Sequence, residues 1–301
     1  MIRGPTLKQL QYFLALTETG HFGRAAERCF VSQSAFSNAI RELETNLGAE
    51  LVDRTNRTVT ITATGQEVAV QARLVLRDVE SLIETARGPV EPLTGELRLG
   101  VIPTIAPFIL PPALPRLRKH YPDLELLLIE DQTDRILQRL MDGELDVLLL
   151  ALPWEMRGVE ELPLFRDEFC LACRQGTDRV DPENYRFTRL DADSILLLED
   201  GHCLRDHALA ACRIRGGEKV RRFGASSLLT LVEMVDADLG ITFLPEMARG
   251  SSLLRNTRVK LWPLGENSYR TIGLVWRKGS RRAAEFRLLG DFIRDHRPKN
   301  A

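Results

Sequence analysis

A stretch rich in proline and glycine, Gly88-Pro89-Val90-Glu91-Pro92-Leu93-Thr94-Gly95, constrains this chain more than any other feature. It ends a long helical pattern and separates two segments of different grammar. Before it, apolar residues recur at spacings of three and four. After it, short strand-like runs alternate with helical ones. A chain of 301 residues has the length for two or three domains of this kind.

Residues 7–47 read as three helices, the first with Leu7, Leu10 and Leu14 on one face. A short helix follows from about Phe22 to Arg28, then a tight connection, Cys29-Phe30-Val31, and Ser32 as N-cap of the third helix. That helix carries an apolar stripe of Phe36, Ile40, Leu43 and Leu47, and a polar stripe of Ser34, Ser37, Asn38 and Arg41. Leu51-Val52-Asp53 and Val59-Thr60-Ile61 then alternate on either side of Arg54-Thr55-Asn56-Arg57, a hairpin tip with two cations. Helix, turn, helix and β-wing make a major-groove reader whose wing touches the DNA backbone. Ser32, Gln33, Ser34, Ser37, Asn38 and Arg41 are the candidates for groove contacts, because Gln and Asn suit adenine and Arg suits guanine. Arg54 and Arg57 are candidates for phosphates, which position without specifying. The net charge is −1, so this reading rests on the placement of a few residues and not on a basic domain. A plain helical bundle with a solvated face is the alternative.

Residues 64–87 read as one helix in which Val68, Ala72, Val75, Val79, Leu82 and Ala86 keep a heptad rhythm. Val and Ala make a weak seam. A dimer is the favoured use, since a two-fold reader engages two half-sites; a helix lying on its own domain is the other. From residue 96 the runs Leu97–Ile102, Leu124–Ile129 and Val147–Ala151 enclose helical patterns near Leu114–His120 and Ile136–Met141. Phe169–Cys173, Ile195–Leu198, Ile241–Leu244 and Thr271–Trp276 follow, and a helix from about Arg281 to Asp295 closes the chain. This βαβ grammar predicts a mostly parallel sheet, in two α/β lobes.

Five cysteines without regular spacing do not make a secreted disulfide framework. There is no secretory signal pattern and no apolar run long enough to span a membrane, so the chain reads as cytoplasmic. No histidine pair has metal-ligand spacing, and no metal or cofactor is expected. Cys170 and Cys173 lie in a strand-like run, where positions three apart face opposite sides. Cys203 and Cys212 bracket a breaker-free run, Leu204 to Ala211. If that run is one helix, nine residues place the two Cα atoms roughly 13 Å apart. A disulfide needs roughly 7 Å, so pairing these thiols would require the helix to break. Cys203 opens that helix, with His202 and Arg205 adjacent, and all three features predict a lowered thiol pKa. Thr104 follows the first strand of the lobe and Thr133 the second, so both face one crevice. Arg270 is a further candidate for positive charge there.

Leu10-Gln11-Tyr12-Phe13, His21-Phe22-Gly23-Arg24-Ala25-Ala26, Val31-Ser32-Gln33-Ser34-Ala35-Phe36-Ser37, Glu42-Leu43-Glu44 with Leu47-Gly48, Arg54-Thr55 and Thr62-Ala63-Thr64-Gly65 resemble the LysR-type transcriptional regulators. Ser34 stands where that family usually has proline, in a helical turn that tolerates either. Ile102-Pro103-Thr104, Leu198-Glu199-Asp200-Gly201-His202-Cys203-Leu204-Arg205-Asp206, Cys212, Gly240-Ile241-Thr242 and Arg270-Thr271-Ile272-Gly273-Leu274-Val275 resemble the family's peroxide-sensing members.

The resemblance implies an α/β fold class. It implies a winged helix-turn-helix over 1–63, a linker and dimerisation helix with hinge over 64–94, and a two-lobed regulatory domain over 95–301, like a periplasmic binding protein. The lobes would be roughly 95–166 with 269–301, and 167–268. It implies that Thr104 and Thr133 orient hydrogen peroxide, that Cys203 is peroxidatic and that Cys212 resolves it to a disulfide. It further implies a homodimer or homotetramer on promoter DNA, contacts with RNA polymerase to activate antioxidant genes, and re-reduction by a thiol reductant of the glutaredoxin or thioredoxin type. Two rivals stay open: a LysR-type regulator sensing a metabolite in the interlobe cleft, and a thiol peroxidase, which would have no need of a helix-turn-helix.

Overall fold

The computed structural model describes residues 4–53, 59–87, 91–154, 156–185, 190–191, 193–211, 220, 224–265 and 268–297. Two compact units emerge, one built on residues 1–90 and 141–144 and the other on residues 91–140 and 145–301.

The first unit starts with α1 (Leu7–Thr19), whose Thr6 and Gln9 form a reciprocal capping box, and which ends at Gly20 in the left-handed region. His21 caps α2 (Phe22–Arg28), its Nδ1 accepting from the Gly23 and Arg24 amides. Ser32 caps α3 (Gln33–Leu47) by accepting from the Ala35 amide. Phe13, Leu16, Phe36, Ile40 and Leu43 are fully buried between these helices, and Tyr12 stacks on Phe36 with ring centres 5.1 Å apart. The wing is β1 (Val52–Asp53) against β2 (Thr60–Ile61), antiparallel. Glu44 on α3 accepts from the Leu51 and Val52 amides at 3.0 and 3.2 Å, which fastens the wing to that helix.

The long helix α4 runs Ala63–Arg87. Gly65 sits so close to the Leu51 carbonyl that no side chain would fit. Of the predicted seam, Ala72 is buried in the unit's own core beside Ala69, whereas Val75 and Leu82 are 43% and 63% exposed. The first turns of α4 therefore lie on their own domain, and the apolar face farther along stays open.

In the second unit, β3 (Gly95–Val101), α5 (Ala106–His120), β4 (Leu124–Glu130), α6 (Thr133–Met141) and β5 (Val147–Leu152) follow βαβ order. All six residues of β5 are buried, as suits a central strand. Next come β6 (Val159–Arg174), α7 (Cys203–Ala211), α8 (Leu228–Asp236), β7 (Thr242–Pro245), β8 (Val259–Pro263), β9 (Tyr269–Arg277) and α9 (Ala283–Asp295). The strand order is β4-β3-β5-β9-β6-β7, with β8 also on β6.

The expected mostly parallel sheet is corrected here. Only β3–β4 and β3–β5 pair in parallel among these strands; β5–β9, β6–β9, β6–β7 and β6–β8 are antiparallel. The physical reason is β6. Its first part, up to Glu168, pairs with β9, and its last part, from Phe169, pairs with β7 and β8. One long strand leaves the first lobe and β9 returns to it, so the crossing strands run in opposite directions. In the second lobe the expected strand at Ile195–Leu198 is reduced to isolated parallel bridges, Ile195 to Val220 and Ile241, and Leu198 to Ala225. The helix before β4 begins at Ala106, well ahead of the expected Leu114, and carries Pro111, Pro112 and Pro115 inside it.

Candidate functional site

Cys203 is the first residue of α7 and is 1% exposed. Around it converge residues that follow or belong to successive strands. Thr104 follows β3, Thr133 opens α6 after β4, Ala151 lies in β5, and Arg270 lies in β9. Thr104 and Thr133 are each 1% exposed and Arg270 2%. This is the crevice beyond the strand ends where open α/β sheets bind ligands.

Arg270 organises the crevice. Its Nη1 donates to Thr104 Oγ1 at 3.0 Å and its Nη2 to the Thr104 carbonyl at 2.9 Å. Its Nε donates to Asp167 Oδ2 at 2.9 Å, in an ion pair with no solvent exposure on either side. Thr133 Oγ1 is buried, and among the described residues it has no hydrogen-bond partner other than a weak contact with the Cys203 sulfur. Across the turn that leads to Cys203, Gly201 takes a φ of 95°, and a side chain there would strike Gln132.

The electrostatics depart from the sequence expectation. Burial pushes the Cys203 thiol above its ordinary pKa, outweighing the pull of Arg270, Thr133 and the Ala151 amide; Asp206 adds to the push. The lowered pKa expected from His202 and Arg205 is corrected, for two reasons. Arg205 is occupied, donating to the Leu198 carbonyl at 3.3 Å and pairing with Asp200 at 3.2 Å. His202 is buried, and its desolvation holds it below the usual histidine range, which disfavours the charged form. The cation that faces the sulfur is Arg270. Cys212 lies outside the described residues.

Asp167 was invisible in the sequence. It sits in Arg166-Asp167-Glu168, where mixed charges read as a solvated strand face, and its partner is 103 residues away. Cys170 and Cys173, on opposite faces of β6, are free buried thiols. Cys170 donates to Glu246 Oε2 at 2.8 Å, and burial pushes it up to about 12; burial likewise pushes Cys173 up to about 11. Cys29, half-buried at the end of α2, is also raised by burial.

On α3, Gln33, Ser34, Asn38 and Arg41 are exposed and Ser37 is half-buried, along one side of the helix. Ser32 is exposed too, but its hydroxyl serves as the cap and meets Ser34 Oγ at 3.2 Å. Arg54 and Arg57 lie outside the described residues. Phe30, in the turn before α3, is 96% exposed and has a φ of 56°. Among the described residues there is no group of three or more His, Cys, Asp or Glu placed to hold a metal ion, and no helix is long and apolar enough to cross a membrane.

A winged helix-turn-helix followed by a two-lobed α/β receptor with a buried polar crevice defines a DNA-binding regulator with its own sensor. Residues 7–66 match the bacterial regulatory helix-turn-helix proteins of the lysR family, and residues 91–298 match the LysR substrate binding domain. The chain belongs to the LysR family of transcriptional regulators. It is 42% identical over 291 residues to the HTH-type transcriptional regulator EstR of Acinetobacter baylyi, covering 96% of both chains. It is 40% identical over 290 residues to the hydrogen peroxide-inducible genes activator of Dickeya chrysanthemi, covering 96% of this chain and 95% of that one. Among solved structures it resembles an H2O2-bound cysteine-to-serine mutant of Corynebacterium glutamicum OxyR, at 36% identity and a TM-score of 0.65, covering 98% of this chain and 94% of that one.

Proposed function

We propose that this chain is a hydrogen-peroxide-sensing transcriptional activator with Cys203 as the reacting thiol. The observation that carries the reading is the crevice itself: a buried sulfur beside the Thr133 hydroxyl, facing a guanidinium that grips Thr104. Thr104 and Thr133 orient the peroxide, and Arg270 stabilises the thiolate as the proton leaves. The thiolate attacks one peroxide oxygen, the S–O bond forms, the O–O bond breaks, and the departing hydroxide takes a proton to become water. Cys203 is then a sulfenic acid. Cys212 attacks that sulfur, the S–S bond forms, and the sulfenic oxygen leaves as water.

Helix α7 opposes this second step. Eight residues at the helical rise hold the Cα atoms of Cys203 and Ala211 about 12 Å apart. A single peptide spans only about 3.8 Å, too little to close that separation to bonding distance. A disulfide needs less than about 7 Å. Oxidation therefore has to break α7, and the broken helix is the signal.

We infer that the remodelled lobe changes how dimers or tetramers of the chain space their winged helices on promoter DNA. Gln33, Ser34, Ser37, Asn38 and Arg41 are the assigned base-reading residues, with Ser32 at the helix start and Arg54 and Arg57 on phosphates. The division at 1–63, 64–94 and 95–301, contacts with RNA polymerase, re-reduction by a glutaredoxin- or thioredoxin-type protein, cytoplasmic location and stoichiometric sensing without turnover complete the proposal. His202 and Arg205 keep a role in shaping the turn before Cys203, not in charging it.

The match of residues 91–298 to the LysR substrate binding domain favours a second reading, a metabolite sensor with structural cysteines. Thiol mass mapping before and after one equivalent of peroxide decides between them. A Cys203–Cys212 link is expected, together with loss of the response in Cys203→Ser. Both thiols remaining unlinked, with the response intact in that variant, would refute the proposal.

A further inference from the structure

We infer that Asp167 is a positioning residue of the peroxide crevice: it fixes the Arg270 guanidinium so that Thr104 is gripped at both oxygens, and it ties that grip to the second lobe. The inference rests on the sensing function proposed above.

Asp167 on β6 and Arg270 on β9 are direct register partners, and both side chains are 0% exposed. One carboxylate oxygen takes Arg270 Nε at 2.9 Å. The other takes the amide of Met247, in the single turn Glu246–Ala248 that follows β7, at 3.3 Å. The guanidinium is a planar fork, so pinning Nε sets the direction of both terminal nitrogens. Those two nitrogens go to Thr104. The Thr104 hydroxyl oxygen is thus an acceptor for Arg270, and its own hydrogen is left to donate. Take the carboxylate away and the fork can turn, and the hydroxyl loses its orientation.

Asp167 also partly neutralises the cation that faces the sulfur. The groups acting on Cys203 are Arg270, Thr133, the Ala151 amide and Asp206; those acting on Asp167 are Arg270, the Met247 amide and Glu246. Burial pushes the Asp167 carboxyl up, while the guanidinium, which has no neutral form, draws it back. Asp167→Asn therefore pulls two quantities in opposite directions. The sulfur ionises more readily because an anion has gone. The peroxide is handled worse because asparagine has one accepting oxygen for two donors, Arg270 Nε and the Met247 amide, so the fork that aims Thr104 is held less firmly. A carboxylate that only supports the fold would not separate the two.

The test uses the reduced full chain. Thiolate absorbance at 240 nm is titrated against pH, each time as the difference from the same chain carrying Cys203→Ser, and the second-order rate of oxidation by hydrogen peroxide is measured at pH 7. Cys170 and Cys173, at about 12 and about 11, stay protonated through the useful range. In Asp167→Asn the Cys203 midpoint is expected to fall by about half a unit or more, while the peroxide rate falls about tenfold or more. Arg270→Lys, which keeps a cation but loses the fork, is expected to lose peroxide rate likewise, and it carries the test if Asp167→Asn does not fold. A midpoint that does not fall, a rate that rises as the thiol ionises more readily, or no change in the rate of either variant, would overturn the inference. A wild-type Cys203 that does not react with peroxide would instead defeat the sensing function itself.

Discussion

Replacing Thr133 by valine is expected to make the reduced protein more stable and a poorer sensor. The Thr133 hydroxyl is buried, and among the described residues it makes no hydrogen bond beyond a weak contact with the Cys203 sulfur. An unsatisfied buried hydroxyl costs roughly 1–3 kcal/mol, and the lost sulfur contact is worth roughly 0.5–1 kcal/mol. Valine has nearly the same shape, and both residues are β-branched at the first position of α6, so helix propensity changes little. The net gain is about 1 kcal/mol, or a rise of roughly 2–4 °C in Tm for a unit of this size. A hydrogen bond to a charged group is worth roughly 1.5–3 kcal/mol, so losing the one that forms to thiolate and peroxide slows oxidation roughly 10- to 100-fold. Calorimetry of the full chain in reductant reads the first quantity, and quenched-flow oxidation followed by thiol trapping reads the second. A variant that melts lower and reacts at the wild-type rate would show that the hydroxyl is a structural bond, and the reasoning would fail on both counts.

Three further outcomes follow. With the Cys203 thiol raised by burial, the peroxide rate is expected to climb about tenfold per pH unit between pH 6 and 8, where the thiolate is the scarce species; a rate flat across that range would mean a thiol already ionised. The same shift gives a sign for stability: the folded chain holds this proton more tightly than the unfolded one, so the contribution is present at low pH and is lost as pH rises past the ordinary cysteine value of about 8.5. Phe30 takes a left-handed φ with almost no contact, a conformation costing a non-glycine residue about 1–2 kcal/mol; Phe30→Gly is therefore expected to raise the melting point of the helix-turn-helix unit, and a lower one would reveal a stabilising contact for the ring.

The N-terminal unit was legible because its helices announce their own ends. Ser32 caps α3 and Gly48 closes it with a φ of 67°. The second unit was legible only in part. β6 is sixteen residues long, yet only Phe169–Cys173 reads as a strand, because the first part crosses between lobes with Glu160, Glu161, Arg166 and Glu168 on it. The parallel expectation failed for the same reason: alternation of strand and helix does not reveal a strand that returns from the far end of the chain. α5 was read short because three internal prolines look like breakers, although Phe108, Ile109, Ala113 and Leu117 bury a full face. At the crevice, Cys203, Thr104, Thr133 and Arg270 were candidates from their place after strands or from resemblance. The charge balance was not readable, since neighbours in sequence proved to be neighbours of something else: Arg205 belongs to Asp200, and Arg270 to Asp167.

Glu44, by holding the Leu51 and Val52 amides, couples α3 to the base of the wing. A reading head tied together in this way is expected to keep one preference among bases in either redox state. Under the proposed mechanism, regulation then acts through the interval between one head and the next. Promoters occupied under reducing and oxidising conditions would accordingly share the same letters and differ in their pacing.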